Sequence, residues 1–72
     1  MYTIIGNENC PRCDKTKEIL EEKGIEFDYF LMDSLEPAQR ETYMNLAKEY
    51  NVKNFPLIIK NNTIYNLQEV IS

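Results

Sequence analysis

Seventy-two residues point to one small domain spanning 1–72, with a thin core, because chains of this size bury only about 60% of their unfolded surface. A hydrophobic fraction of 43% beside 28% charged residues excludes a disordered chain, and no apolar run reaches the length of a membrane span. The net charge of −4 argues against nucleic acid as a partner, since no Lys/Arg cluster offers a basic stripe to phosphates.

Tyr2 to Gly6 reads as a short strand, built on the β-branched run Thr3-Ile4-Ile5 and ended by glycine. A strand that starts within two residues of Met1 leaves no room for a leader, so the expected location is the cytoplasm. Gly6-Asn7-Glu8-Asn9 is a loop. Residues 11 to 23 follow a helical period. Thr16, Ile19, Leu20 and the stem of Lys23 form the expected inward stripe, with Lys17, Glu18, Glu21 and Glu22 toward water. Gly24 supplies the stop.

The only two cysteines, Cys10 and Cys13, stand at the junction of that strand and helix. On the first helical turn, Cys10 near the N-cap and Cys13 about three positions on project to one side, close enough to form a disulfide. Pro11 falls near the first helical position, where its missing N–H costs nothing. The unpaired N–H groups of the first turn favour a thiolate at Cys10, with Arg12 and Lys15 adding positive charge and Glu8 and Asp14 opposing it. Cys10 is therefore expected to ionise more readily than free cysteine and to attack, while Cys13, further inside, resolves.

Other uses of the pair are weaker. As a structural staple the disulfide would close a loop of only four residues, worth about 2 kcal/mol on the chain-entropy estimate. A zinc site needs two more ligands, and the chain has no histidine and no third cysteine, so one copy cannot complete a tetrahedral sulfur/nitrogen site and no metal is expected. A metal or cluster shared between two chains remains open. Two cysteines without the dense pattern of secreted scaffolds fit a reducing compartment.

Further along, Ile25-Glu26-Phe27-Asp28-Tyr29 alternates as a half-buried edge strand, and Phe30-Leu31-Met32 breaks the alternation as if lying deeper. Asp33 to Pro37 is a turn into a second helix, with Ser34 or Asp33 as the expected cap. Tyr43, Leu46, Ala47 and Tyr50 give that helix an apolar stripe, and Asn51 ends it. Phe55-Pro56 precedes a compact strand, Leu57 to Lys60; Asn61-Asn62 is a tight turn, and Thr63-Ile64-Tyr65 returns as a hairpin partner. Leu67 to Ile71 forms a short terminal helix burying Leu67, Val70 and Ile71. The order is β-α-β-α-β-β-α, an α/β chain whose first two strands run parallel through a right-handed crossover.

With these elements in place, the sequence resembles the glutaredoxin family of the thioredoxin fold. The likeness rests on the element order, on Cys10-Pro11-Arg12-Cys13 after the first strand, and on Phe55-Pro56 before the third. It implies a four-stranded sheet of order 2-1-3-4 and a cis Pro56 facing the disulfide, where physics alone would expect a trans bond. It also implies that Phe55 exposes its backbone to an extended substrate segment. The implied activity is thiol–disulfide exchange by a monomer that binds no cofactor and reduces disulfide-containing proteins or glutathione mixed disulfides, with glutathione as reductant. Around a glutathione, the resemblance places Pro11, Arg12, Phe55, Pro56, Asn7 and Glu69. Three departures stand out: Asn7 replaces a lysine, Arg12 replaces an aromatic residue, and Tyr65-Asn66 replaces a glycine pair. Hydrogen-donor redoxins that serve ribonucleotide reductase and draw electrons from thioredoxin reductase share this size, though the chain lacks tryptophan and so their tryptophan-containing C-terminal segment. A non-enzymatic alternative is a dimeric iron–sulfur cluster carrier, which the proline at position 11 disfavours.

Overall fold

The computed structural model describes all 72 residues. Four strands, β1 (Tyr2–Gly6), β2 (Phe27–Leu31), β3 (Leu57–Lys60) and β4 (Thr63–Tyr65), alternate with helices α1 (Pro11–Glu22), α2 (Pro37–Glu49) and α3 (Leu67–Ile71). A single 3₁₀ turn, Met32–Ser34, leads from β2 toward α2. The sheet order is β2-β1-β3-β4. β1 pairs parallel with β2, Ile4 opposite Tyr29, and antiparallel with β3, Ile4 opposite Ile58. The expected α/β fold and sheet order are therefore present.

Alternation along β1 and β3 divides the core in two, because successive side chains point to opposite faces. Ile4 and Ile58 meet Leu20 of α1 on one face, with Tyr29, Leu67 and Val70 packed around them. Ile5, Leu57 and Ile59 meet Ala47 of α2 and Met32 on the other. Ile4, Ile5 and Leu20 are fully buried. Each such side chain contributes about 1.5–3 kcal/mol relative to exposure, so this handful anchors both layers.

Local chemistry sets the boundaries. Lys23 caps α1 and Gly24 takes a φ of 69°, the left-handed stop that glycine adopts without a Cβ clash. Asn61 and Asn62, at φ 53° and 58°, form the two-residue turn whose twist matches the β3–β4 hairpin. α3 starts from a reciprocal cap: the Asn66 side chain accepts from the Glu69 N–H at 2.8 Å, and the Glu69 carboxylate accepts from the Asn66 N–H at 3.0 Å.

Five expectations need correction. Lys23 is exposed rather than part of the inward stripe, because it has already left the helix. Lys17, expected in water, lies with its ammonium 4.1 Å from the centre of the Tyr29 ring. Phe30 does not lie deeper: the alternation of β2 continues through it and leaves it 43% exposed on the outermost strand. Neither Ser34 nor Asp33 caps α2. Glu36 does, its N–H donating to Gln39 Oε1, while the Ser34 hydroxyl turns back to the Leu31 carbonyl. Tyr50, placed in the apolar stripe, is the C-cap of α2 and 40% exposed.

Candidate active site

β1 ends at Gly6, and the chain crosses Asn7, Glu8 and Asn9 before α1 begins. Asn9 adopts a φ of 53°, which asparagine tolerates better than most residues. The turn delivers Cys10 to the N-cap in an extended conformation, with Pro11 opening the first turn. The Cys10 sulfur accepts a hydrogen bond from the Cys13 N–H at 3.2 Å, the part that a hydroxyl or carboxylate oxygen plays at most helix starts. The Asp14 N–H donates to the Cys10 carbonyl at 3.1 Å and begins the helical ladder.

Cys10 and Cys13 are joined as a disulfide, their Cα atoms 5.2 Å apart, within the usual span of such bonds. Their surroundings differ. Cys10 is half-buried at the helix tip, whereas Cys13 is 0% exposed. An incoming sulfur therefore meets Cys10 first. Thr16, one turn beyond the pair and 3% exposed, donates its hydroxyl to the Arg12 carbonyl at 2.9 Å, which satisfies its buried oxygen without a partner from another element.

A cleft of about 630 Å³ opens beside the pair, lined by Arg12, Thr16, Phe55, Pro56, Asn66 and Glu69 among others. The Phe55–Pro56 peptide is cis, as the family likeness implied and local physics did not. A shallower hollow of about 380 Å³ runs from Asn7 over Cys10 and Pro11 to Arg12 and Phe55. The fold thus gathers Arg12, Phe55, Pro56 and Glu69 around one cleft, with Pro11 at the cysteines. Asn7 borders only the shallower hollow and a second one on the side of Tyr29. Glu69 reaches the cleft with its carboxylate already accepting one hydrogen bond from its own helix cap.

Reasoning from residues alone missed three neighbours of the pair. A Cβ added to Gly6 would lie 2.1 Å from the Tyr29 hydroxyl oxygen and 3.1 Å from the Cys13 sulfur, so the bare glycine opens the space that those two side chains share. Lys17 covers the Tyr29 ring and stands 3.8 Å from Asp14 Oδ1. Signals for them existed: Tyr29 occupies an inward position of the β2 alternation, and Lys17 follows Cys13 by one helical turn.

No curated protein sequence matches the chain. Among solved structures, the glutaredoxin from Archaeoglobus fulgidus superposes with a TM-score of 0.66 at 23% identity, covering 96% of this chain and 79% of that one. A methanoredoxin from Methanosarcina acetivorans gives 0.66 at 24% identity, covering 96% and 78%. At such identity these likenesses speak to the fold. The glutaredoxin family model matches residues 1–64, which takes in the cysteine pair, the cis proline and all four strands but for Tyr65. By sequence as well as by architecture, this chain belongs to the glutaredoxin family, and its Cys10–Cys13 pair makes it a dithiol redox protein.

Proposed function

We propose that the protein reduces disulfides in other proteins, and mixed disulfides between proteins and glutathione, through the Cys10–Cys13 couple. The observation that carries this reading is the asymmetry of the pair: one sulfur half-buried at a helix N-cap, the other fully buried behind it. The Cys10 thiolate attacks a substrate disulfide, one substrate sulfur leaves, and a mixed disulfide forms at Cys10. Cys13 then attacks the Cys10 sulfur, the bond to substrate breaks, and the Cys10–Cys13 disulfide closes. Electrons pass through sulfur alone, so no bound cofactor is required. Two glutathione molecules restore the dithiol, becoming glutathione disulfide.

The cleft supports a peptide substrate. Phe55 belongs to no strand and joins none of the backbone hydrogen bonds of the loops and turns. An extended segment laid along it can therefore pair as an added strand, with Arg12 positioned to grip a carboxylate. For glutathione, Glu69 offers its second carboxylate oxygen to an amine. The reading places the protein in the cytoplasm, working as a monomer.

A coupled NADPH assay tests the proposal, run once with glutathione and glutathione reductase and once with thioredoxin reductase. Turnover in the first arm is expected. Turnover in the second arm alone would make the protein a dedicated electron donor to one partner, as for ribonucleotide reductase. Failure in both arms, on protein and glutathione disulfides alike, would refute disulfide reduction.

A further inference from the structure

Cys13 must also become a nucleophile, yet it is fully buried, and burial without a partner disfavours a thiolate. Cys10 has the open helix terminus to stabilise its charge. Cys13 lies inside the helix, and its own N–H is spent on the Cys10 sulfur.

The group that faces it from the sheet is Tyr29. β2 lies parallel to β1 with Tyr29 opposite Ile4, so the phenol points to the α1 side and packs against the Ile4–Leu20–Ile58 cluster. Because Gly6 has no side chain, the hydroxyl comes within 2.1 Å, and the Cys13 sulfur within 3.1 Å, of the point that a Cβ there would fill. None of the side-chain hydrogen bonds of the fold engages this hydroxyl. Above the ring, the Lys17 ammonium draws on the π face at 4.1 Å. A positive charge held there makes the phenol a stronger hydrogen-bond donor, and Asp14, 3.8 Å from that ammonium, offsets part of the effect.

Resting on the redox reading above, we propose that Tyr29 serves the second step: its hydroxyl donates a hydrogen bond to the Cys13 sulfur as that sulfur acquires negative charge, with Lys17 as a positioning residue acting through the ring. In that step Cys13 S–H loses its proton and the new sulfur bonds to Cys10. The bond from Cys10 to substrate breaks, and the departing sulfur takes up the proton and leaves as a thiol. Tyr29 returns its hydrogen bond unchanged. It lines a hollow of about 570 Å³ with Asn7, Asp14, Lys17 and Phe30, a hollow that shares no residue with the substrate cleft.

Stopped-flow reaction of the reduced protein with excess 5,5′-dithiobis(2-nitrobenzoate) separates the two steps, since each releases one coloured thiolate. The first phase depends on reagent concentration and reports attack by Cys10; the second does not and reports closure by Cys13. Tyr29→Phe keeps the ring and its Lys17 contact and removes only the hydroxyl. It is expected to slow the second phase about tenfold, the effect of losing one charge-assisted hydrogen bond, and to leave the first phase unchanged. Lys17→Met, which leaves the phenol in place, should slow the second phase by a smaller factor. An unchanged second phase in Tyr29→Phe, or an equal slowing of both phases, overturns the proposal while leaving the redox reading intact. If the unaltered protein released no coloured thiolate, the redox reading itself would fall. Should Tyr29→Phe fail to fold, the Lys17→Met second phase decides alone, and no change there overturns the role of the Tyr29 ring.

Discussion

Gly6→Ala adds one methyl group at the end of β1, and the structure states what that methyl meets. Its carbon would lie 2.1 Å from the Tyr29 hydroxyl oxygen, 2.8 Å from the ring carbon that bears it and 3.1 Å from the Cys13 sulfur. The backbone itself raises no objection, since Gly6 does not sit at a positive φ, so the penalty is steric. The ring cannot slide away freely, being packed on the Ile4–Leu20–Ile58 side and covered by Lys17. Overpacking of this kind costs about 1–3 kcal/mol, and the reduced freedom of alanine in the unfolded chain returns about 0.4–1 kcal/mol. A net loss of about 1–2 kcal/mol lowers Tm by roughly 4–16 °C in a domain of this size. Thermal denaturation followed by circular dichroism measures it, in the wild-type background and again with Tyr29→Ala. Removing the ring should abolish most of the Gly6→Ala penalty, a coupling of about 1–2 kcal/mol. An equal penalty in both backgrounds would mean that Tyr29 is not what occupies the space above Gly6.

Cys10→Ser should reduce turnover on every disulfide substrate to background in the coupled NADPH assay. Cys13→Ser should lose protein disulfide reduction but keep turnover on glutathione mixed disulfides; the reverse pattern would exchange the roles of the two sulfurs. In the reduced protein, the Cys13 N–H aimed at Cys10 and the helix terminus favour the thiolate, so Cys10 should titrate below the ordinary value of about 8.5. Because the thiolate is the attacking form, the alkylation rate with iodoacetamide should hold level above that lowered value and fall as pH drops through it. A profile centred on the free-cysteine value would contradict this. Leu20→Ala removes a fully buried side chain and should cost about 2–5 kcal/mol, a large share of the roughly 4–11 kcal/mol expected of the whole chain; urea denaturation will show whether the midpoint falls accordingly.

Much of this architecture could be read from local signals because local physics decides it. Asn61-Asn62 specifies its turn through left-handed tolerance, Gly24 stops α1 for the same reason, and the compact apolar runs at Ile4–Ile5 and Leu57–Ile59 become the buried strands. Position within the assembled sheet was not legible. Phe30 has the composition of a core residue, yet it shares a face with its partner Ile5 at the outer edge, outside the cluster that α2 covers. Lys17 has the composition of a surface residue, and only the arrival of Tyr29 from a strand more than ten residues later draws it inward. The same limit applied at the site: spacing alone identified Cys10 and Cys13, whereas the cis geometry at Pro56 entered through family likeness, and the Gly6–Tyr29–Cys13 approach needed three elements packed together. The α2 cap fell to Glu36 because the intervening residues formed a 3₁₀ turn, which moved the helix start past Ser34.

The unequal depth of the two sulfurs also bears on what an oxidant such as peroxide would do to the pair. Peroxide can reach the outer thiolate and convert it to a sulfenic acid, the last rung from which simple thiol chemistry offers a way back. Cys13 stands at bonding distance one turn away, so it condenses with that acid, expels water and leaves an ordinary disulfide where a sulfinic acid would otherwise accumulate. The inner thiol, sealed from bulk solvent, is itself spared. The same recess that hides Cys13 thus serves as a built-in repair reserve, and damage is turned into the disulfide that the pair already forms.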